Sequence, residues 1–194
     1  MPHTDSPELN TAGAPGAVAG STSDAHTTAK QSPGRDSGAT VAVIGGGLAG
    51  CECALALAKA GVNVTLFEMK PERFSPAHKS PDLAELVCSN SLRSDEPSMA
   101  VGLLKEEMRQ MGGVVVAAAE ATRVPAGKAL AVDREHFSRR ITEAVLAAPG
   151  VTLSRREVAS LEDPCLEGVQ AVVVAAGPLA SEGLSQSLAP AVGP

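Results

Sequence analysis

The sequence predicts an α/β fold in which a parallel sheet begins with a strand, a helix and a second strand. Residues 41–44 form a short apolar run ahead of glycines, as expected of a strand buried on both faces of a sheet. Residues 48–60 have the pattern of a helix that ends at Gly61, and 62–67 form a second apolar run that leads into Glu68. Together they make one βαβ unit of about 30 residues, which is the usual size.

Composition and charge narrow the class of protein. Residues 1–39 are dominated by Ser, Thr, Gly, Pro and Ala, so they are predicted to be a disordered N-terminal extension. The net charge of −6 argues against a free-standing RNA-binding domain, because such domains usually present a basic surface. No apolar run approaches the roughly 20 residues that span a bilayer, and the first residues lack a secretory signal. We therefore expect a cytoplasmic protein without a membrane anchor.

The elements after Glu68 are predicted from periodicity and from turn residues. Residues 70–97 contain four prolines and are predicted as a long irregular loop, which in a compact domain is more often functional than accidental. Beyond this loop the sequence predicts, in order, a helix over 99–111, a strand over 114–123, a helix capped by Asp133 that extends to 146, a hairpin of 151–153 with 157–161, and a strand over 169–175 that returns to the central sheet.

A glycine-rich motif connects the first strand to the first helix, and it reads Gly45-Gly46-Gly47-Leu48-Ala49-Gly50, which fits the pattern G-x-G-x-x-G. In this pattern Gly45 permits a tight turn, Gly47 admits the pyrophosphate of a dinucleotide, and Gly50 allows close packing of helix on strand. The helix N-terminus attracts the pyrophosphate, and Glu68 accepts hydrogen bonds from ribose hydroxyls. A 2′-phosphate at this site meets a carboxylate, which disfavours NADP. The alternative is an ordinary glycine turn with a surface glutamate.

A second strand end bears on the choice between FAD and NAD. Residues 172–178 form a late apolar run that closes with small residues and Gly177, similar to a strand end of flavoproteins with two dinucleotide-binding domains. Ala176 stands where threonine is usual, and taken alone the run is equally consistent with a buried strand and a glycine turn. Combined with the first motif it favours FAD, and it predicts a Rossmann-like FAD-binding domain of the two-dinucleotide-binding flavoprotein type.

Seven blocks of sequence carry a more specific signal. They are FEMKP at 67–71, SPAH at 75–78, ELVCSNSLR at 85–93, VGLLKEEMR at 101–109, VPAG at 124–127, ALAVDR at 129–134 and GPL at 177–179. In this order they resemble the folate- and FAD-dependent tRNA (uracil-5-)-methyltransferases, over about residues 41–188. Because members of that family are longer, the resemblance implies that residues 40–194 are the N-terminal part of a truncated FAD-binding domain, with the start of an inserted substrate domain.

The resemblance also implies an activity. Such enzymes take a methylene group from methylenetetrahydrofolate, pass it through reduced FAD and methylate C5 of a uridine in the T-loop of tRNA. NADH or NADPH supplies the hydride. FAD is then the cofactor, methylenetetrahydrofolate and NAD(P)H are co-substrates, and tRNA is the partner. No metal is expected, since the four cysteines are spread without a C-x-x-C pair.

Single residues acquire expected roles from the same resemblance. Cys88 falls at the cysteine of the VCSNS block, which implies a catalytic or protective thiol near the flavin; the alternative is a packed, inert thiol. Lys70 stands where arginine is typical of the family and, with Gly177, is assigned to the cofactor site. The other three cysteines, Cys51, Cys53 and Cys165, are interpreted as structural.

Three other functions remain open from the sequence. Gly50-Cys51-Glu52 looks more like the related flavoenzymes that carboxymethylaminomethylate wobble uridines of tRNA, although those lack the CSNSLR block. A second alternative is a dinucleotide-binding module without turnover. The third is a general FAD- or NAD-dependent oxidoreductase that acts on a small molecule, which the CSNSLR block disfavours.

Overall fold

The computed structural model describes residues 38–193, so the prediction for the extension falls outside the described residues except at 38 and 39. The strands in this part of the chain are β1 (Thr40–Ile44), β2 (Asn63–Glu68), β3 (Ser91–Ser94), β4 (Arg123–Val124), β5 (Ala129–Val132), β6 (Val151–Arg155) and β7 (Ala171–Val174). The α-helices are α1 (Leu48–Lys59), α2 (Ala100–Gln110), α3 (Val114–Ala121), α4 (Arg134–Ala147) and α5 (Glu182–Val192), and short 3-10 helices cover Pro164–Leu166 and Gly177–Leu179.

A four-stranded parallel sheet in the order β6-β2-β1-β7 forms the centre of the fold. The chain leaves β1 through α1 and returns in β2, which pairs with β1 from Thr40 opposite Asn63, so the predicted βαβ unit is confirmed. The strand predicted over 169–175 is confirmed as β7, which pairs with β1 on the side away from β2. β1 therefore lies inside the sheet, where a continuous apolar run is required.

Each face of this sheet buries its own apolar cluster. On one face α1, α3 and α4 cover strand residues that include Val43 and Leu66, and Phe137 of α4 is buried in the same cluster. On the other face Ile44 and Phe67 are among the residues that pack with the segment from 158 to 184. Within the described residues no helix is both long and apolar enough to cross a membrane.

The residues between β2 and α4 are here called the inserted region (70–132). It contains α2, α3 and a three-stranded antiparallel sheet in the order β3-β5-β4. The helix predicted over 99–111 is confirmed as α2. The loop predicted over 70–97 is irregular as far as Asn90, but β3 lies inside it, so that part of the prediction is wrong. β3 has only four residues and is mostly polar, which is too little for a strand pattern to show.

The strand predicted over 114–123 is wrong, because most of it is the helix α3. A run of β-branched residues favours a strand. Glu52 of α1 favours the helix instead, because its carboxylate accepts hydrogen bonds from the N–H groups of Val114 at 2.9 Å and Val115 at 2.7 Å. A carboxylate there satisfies orphan N–H groups of the first turn and interacts favourably with the helix dipole.

The helix α4 brings the chain from the inserted region back to the central sheet. Its predicted cap is confirmed, since the Asp133 side chain accepts a hydrogen bond from the N–H of His136 at 3.0 Å. The hairpin predicted after it is wrong, because β6 pairs in parallel with β2 and the structure has no strand over 157–161. A strand that follows a helical crossover enters parallel to the strand before the crossover, and this placement leaves 157–161 beyond the end of the sheet.

Candidate functional site

The glycine-rich turn between β1 and α1 is packed tightly on its inner side. Gly45 has a φ of +109°, in the region that favours glycine, and its N–H donates to the carbonyl oxygen of Phe67 at 2.8 Å. A Cβ atom at Gly45 would lie 2.7 Å from backbone atoms of Ala175 and Ala176. One at Gly50 would lie only 1.8 Å from the carbonyl oxygen of Gly45. Both glycines therefore allow the close approach of β1, α1 and the end of β7 that the motif predicts.

The outer side of the same turn is open. Gly47 is exposed, and a Cβ atom there would meet nothing within 4 Å. Among the described residues no side chain caps α1, and its first turn has no acidic residue. Unpaired N–H groups and the positive end of the helix dipole therefore adjoin a glycine that leaves room for a ligand. These features fit the pyrophosphate of a dinucleotide.

Glu68 at the end of β2 is buried and ties its strand to the glycine turn. Its Oε2 accepts a hydrogen bond from the N–H of Gly46 at 2.9 Å, and its Oε1 accepts one from the N–H of Lys70 at 2.9 Å. Each carboxylate oxygen has two lone pairs, so both keep the capacity for another donor such as a ribose hydroxyl. The Glu68 side chain thus has a structural role that the motif alone did not indicate. It remains chemically suited to its predicted role, which is to accept hydrogen bonds from ribose hydroxyls.

A cleft lies where β1 and β2 end, beside the turn and Glu68. The described residues that line it are 44–47, 67–69, His78, 156–158, Ala176, 179–181 and Leu184. Ligands of open parallel sheets bind at this place, outside the carboxyl ends of the strands. The structure therefore brings together the first half of the glycine motif, Glu68 and the residue that precedes Gly177.

An ion pair fixes the far wall of the cleft. Arg73, in the loop after β2, places its Nη1 2.7 Å from Oε1 and 2.6 Å from Oε2 of Glu157. The Arg73 guanidinium, with the Ser181 hydroxyl, holds the pKa of Glu157 below its ordinary value. The pair connects the loop after β2 with the segment after β6, which supplies residues of the cleft.

The side chain of Lys70 is buried in the loop that follows β2 and is not among the residues lining the cleft. Its Nζ donates to the carbonyl oxygen of Asp82 at 2.6 Å and lies 3.4 Å from Oε2 of Glu85. Burial alone raises the pKa of Glu85, but the N–H groups of Lys79 and Ser80 and the Lys70 ammonium outweigh it and lower the pKa. Lys70 therefore anchors this loop, and its contact with a cofactor stays a prediction.

Contacts from distant parts of the chain hold the same loop against the glycine turn. Arg155, at the end of β6, donates to the carbonyl oxygens of Lys70 at 3.0 Å and Pro81 at 2.8 Å. The N–H of Ala84 donates to the carbonyl oxygen of Gly46 at 2.8 Å. Sequence analysis missed Arg155, because a side chain that serves a backbone about 80 positions away leaves no local pattern.

Cys88 lies in the irregular segment before β3. It is exposed and does not line the cleft, so the structure does not bring it together with Glu68 and the glycine turn. The nearby Asn90 is fixed, since its Nδ2 donates to the carbonyl oxygen of Val132 at 3.2 Å. An accessible thiol is required of a nucleophile, and the catalytic role of Cys88 stays a prediction.

Comparison with protein families decides the class of this chain. The model of the family described as GIDA, glucose inhibited division protein A, matches residues 40–193, which include the turn, Glu68 and the whole parallel sheet. The chain belongs to the GIDA family. The predicted α/β fold with a Rossmann-like FAD-binding arrangement is confirmed by this match and by the observed sheet.

Curated relatives of this GIDA-family chain are named methylenetetrahydrofolate--tRNA-(uracil-5-)-methyltransferase TrmFO. One from Nitratidesulfovibrio vulgaris (strain Hildenborough) is 70% identical over 154 residues, which are 79% of this chain and 32% of that protein. One from Oleidesulfovibrio alaskensis is 68% identical over 154 residues, 79% of this chain and 34% of that protein. The resemblance seen in the seven blocks is confirmed, and the chain spans about a third of the length of these relatives.

Solved structures are more distant. The Diels-Alderase PyrE3 matches with a TM-score of 0.37 and 21% identity, over 60% of this chain and 25% of that chain. Such a score is too low to define a fold.

The remaining cysteines of this GIDA-family chain differ from Cys88 in burial. Cys51 is buried and donates from Sγ to the carbonyl oxygen of Gly46 at 3.4 Å. Burial, with the Glu68 carboxylate, raises the pKa of the Cys51 thiol to about 12. Burial also raises the pKa of Cys53 and of Cys165. Thiols that stay protonated are poor nucleophiles, and within residues 38–193 no group of three or more His, Cys, Asp or Glu could hold a metal ion.

Proposed function

We propose that this chain is the dinucleotide-binding part of an FAD-dependent protein that methylates C5 of a uridine in the T-loop of tRNA, with methylenetetrahydrofolate as one-carbon donor. The observation that carries the proposal is the open glycine turn with Glu68 beside it, in a chain 70% identical over 154 residues to a relative named as a methylenetetrahydrofolate--tRNA-(uracil-5-)-methyltransferase. The protein is expected to act on tRNA in the cytoplasm.

Different residues of this chain bind different groups of the dinucleotide. The N-terminus of α1 and the space beside Gly47 receive the pyrophosphate, and the Glu68 carboxylate orients the ribose. Gly177, just beyond β7, lies next to a residue of the cleft and allows the backbone to pass close to the cofactor. Bound FAD supplies the one-carbon carrier and the hydride chemistry, with NADH or NADPH as reductant.

Cys88 is proposed as the thiol that adds to C6 of the uridine. A thiolate that adds to C6 of uracil makes C5 nucleophilic, and an exposed cysteine on an irregular segment can approach an RNA base. The inserted region, with its small antiparallel sheet, is proposed as the start of the substrate domain.

Two alternatives have a specific observation in their favour. The coverage of about a third of the relatives' length favours a binding module without turnover for the chain taken by itself. Gly50-Cys51-Glu52 favours the flavoenzymes that modify wobble uridines. Cys51 is buried behind the turn and Glu52 caps α3, however, so these residues do not contact a uridine and carry little weight.

The absorbance spectrum of the purified chain tests cofactor binding. We expect a flavin band in stoichiometric amount, or saturable binding when FAD is added. The control is the same measurement on the chain unfolded in urea. A folded chain that neither retains FAD nor binds it would contradict the proposed role of the turn.

A chimera tests the reaction. Residues 40–193 replace the matching segment of the Nitratidesulfovibrio vulgaris relative, and transfer of labelled one-carbon units from methylenetetrahydrofolate to tRNA is measured. We expect activity in the chimera, activity loss of at least about 100-fold for Cys88→Ser, and no loss for Cys53→Ser. Nucleoside analysis of the product separates 5-methyluridine from a wobble modification. An active chimera in which Cys88→Ser has no effect would remove Cys88 from the mechanism.

A further inference from the structure

One residue of the cleft has a chemistry that the glycine motif does not explain. His78 lines the cleft together with Glu68 and residues 45–47. Its Nδ1 lies 2.6 Å from the hydroxyl oxygen of Ser75, a polar side chain that is only 8% exposed. A buried serine that contacts a histidine in a ligand cleft fixes the orientation of the ring.

Hydrogen bonds to the local backbone also hold Ser75 in place. Its Oγ accepts the N–H of Ala77 at 3.3 Å, and its carbonyl oxygen accepts the N–H of His78 at 3.3 Å. Oγ accepts one hydrogen bond from Ala77 and still has its own proton available for Nδ1 of His78. A neutral imidazole that accepts at Nδ1 carries its proton on Nε2. In that tautomer the ring offers Nε2–H as a donor to the cleft.

The segment that carries His78 is held in place at both ends. On one side the Arg73 side chain pairs with Glu157 at 2.6 Å, and on the other the N–H of Lys79 donates to Oε1 of Glu85 at 3.0 Å. Within the described residues no carboxylate pairs with His78, whereas His136 on α4 lies 3.3 Å from Asp133. A prearranged donor without a partner of its own in a ligand cleft is suited to recognise a bound acceptor.

We infer that His78, oriented by Ser75, donates a hydrogen bond from Nε2 to the AMP half of the bound dinucleotide. The inference rests on the proposed function. The turn at Gly47 receives the pyrophosphate and Glu68 receives the ribose, while His78 adds a donor on the wall formed by the loop after β2. Because Glu68 accepts hydrogen bonds and His78 donates one, Glu68 selects a ligand group that donates, and His78 selects a ligand group that accepts.

Calorimetric titration of the chain with ADP tests the inference. We expect His78→Ala to raise the Kd for ADP about tenfold, the usual effect of a lost hydrogen bond. His78→Gln, whose amide places an N–H near the position of Nε2, should recover part of the affinity, and His78→Asn should not. His136→Ala, at an exposed position outside the cleft, is the matched control and should bind ADP as the unmodified chain does.

Ser75 is tested as a positioning residue. Ser75→Ala should weaken ADP binding about threefold, and Ser75→Thr, which keeps the hydroxyl, should restore it. The thermal midpoint of each variant is measured to separate a loss of binding from a loss of folding. Ring nitrogen NMR of the unmodified chain should show the proton of His78 on Nε2; a proton on Nδ1 would overturn the assignment.

The outcomes separate this inference from the proposed function. If the folded chain binds neither ADP nor FAD, the proposed function fails and the inference fails with it. If the chain binds ADP and His78→Ala binds it equally well, the inference alone fails. If His78→Asn binds ADP with the same Kd as His78→Gln, Nε2 is not the donor and the inference is likewise overturned.

Discussion

The central parallel sheet and the inserted region differ in how their backbone hydrogen bonds are satisfied. In the sheet, neighbouring strands satisfy each other's backbone, and apolar clusters cover both faces. In the inserted region, side chains from elsewhere satisfy much of the irregular backbone. Arg155 at the end of β6, for example, donates from Nη1 to the carbonyl oxygens of Lys70 at 3.0 Å and Pro81 at 2.8 Å. The contrast teaches that local pattern determines the first region, whereas the second depends on individual long-range polar contacts.

The largest expected effect lies in the sheet, at Gly50. A Cβ atom there would overlap the carbonyl oxygen of Gly45, so we expect Gly50→Ala to destabilise the chain by about 3 kcal/mol or more. Urea denaturation measures the change. Gly47→Ala, whose Cβ atom meets open space, is the control and should cost no more than about 1 kcal/mol, the usual difference between glycine and alanine at a helix N-cap. Equal stability of the two variants would mean that the turn does not pack as described.

The next effect concerns Asp95 in the inserted region. Burial raises the pKa of Asp95, but the guanidinium groups of Arg109 and Arg123, with Nη2 and Nη1 at 2.6 and 2.8 Å from its carboxylate, outweigh it and lower the pKa. We expect Asp95→Asn to cost about 2 kcal/mol at pH 7. Because the folded pKa is below the unfolded one, this stabilisation is complete above the ordinary pKa of about 4 and is lost as the pH falls through the folded value.

Denaturation at several pH values checks the sign of that prediction. The difference between the unmodified chain and Asp95→Asn should shrink steadily below about pH 4. Glu167→Gln, at an exposed position, is the control and should show no such trend. A difference that stays constant down to low pH would show that the ion pairs of Asp95 do not stabilise the fold.

A smaller effect is expected at Glu52, where the sheet and the inserted region meet. Removing its carboxylate leaves the first N–H groups of α3 without an acceptor, so Glu52→Ala should cost about 1 to 2 kcal/mol. Circular dichroism during urea denaturation follows the loss of helix. Glu107→Ala, on the exposed face of α2, should cost little. If both variants unfold alike, the capping of α3 by Glu52 contributes nothing measurable.

The smallest effect is expected for the ion pair between Arg73 and Glu157. Arg73 is more than half exposed, and exposed pairs contribute about 1 kcal/mol or less. Arg73→Gln should therefore lower the free energy of unfolding only slightly, and less still at high salt. Thermal denaturation at low and high salt measures this. A large, salt-independent loss would show that the pair organises the cleft through more than its charge.

These differences explain how much of the molecule the sequence predicted. β1, α1, β2 and β7 could be predicted because apolar runs and glycines mark them locally, and the glycine turn and Glu68 came with them. α3 could not, because its valines favour a strand and its cap comes from Glu52, 62 residues earlier. The anchoring of the loop by Arg155 and by Thr142, which accepts the N–H of Leu83 at 2.9 Å, had no local signal either.

The central claim is that the open side of the glycine turn binds the pyrophosphate of a dinucleotide. Calorimetric titration of FAD and ADP into the unmodified chain and Gly47→Val tests it most directly, because a Cβ atom at Gly47 would have no neighbour within 4 Å and lies beside the proposed ligand space. Ala126→Val, in an exposed loop outside the cleft, is the matched control. We predict that Gly47→Val weakens both ligands at least about tenfold, or about 1.4 kcal/mol, without changing the thermal midpoint. Unchanged affinity in Gly47→Val would contradict the account.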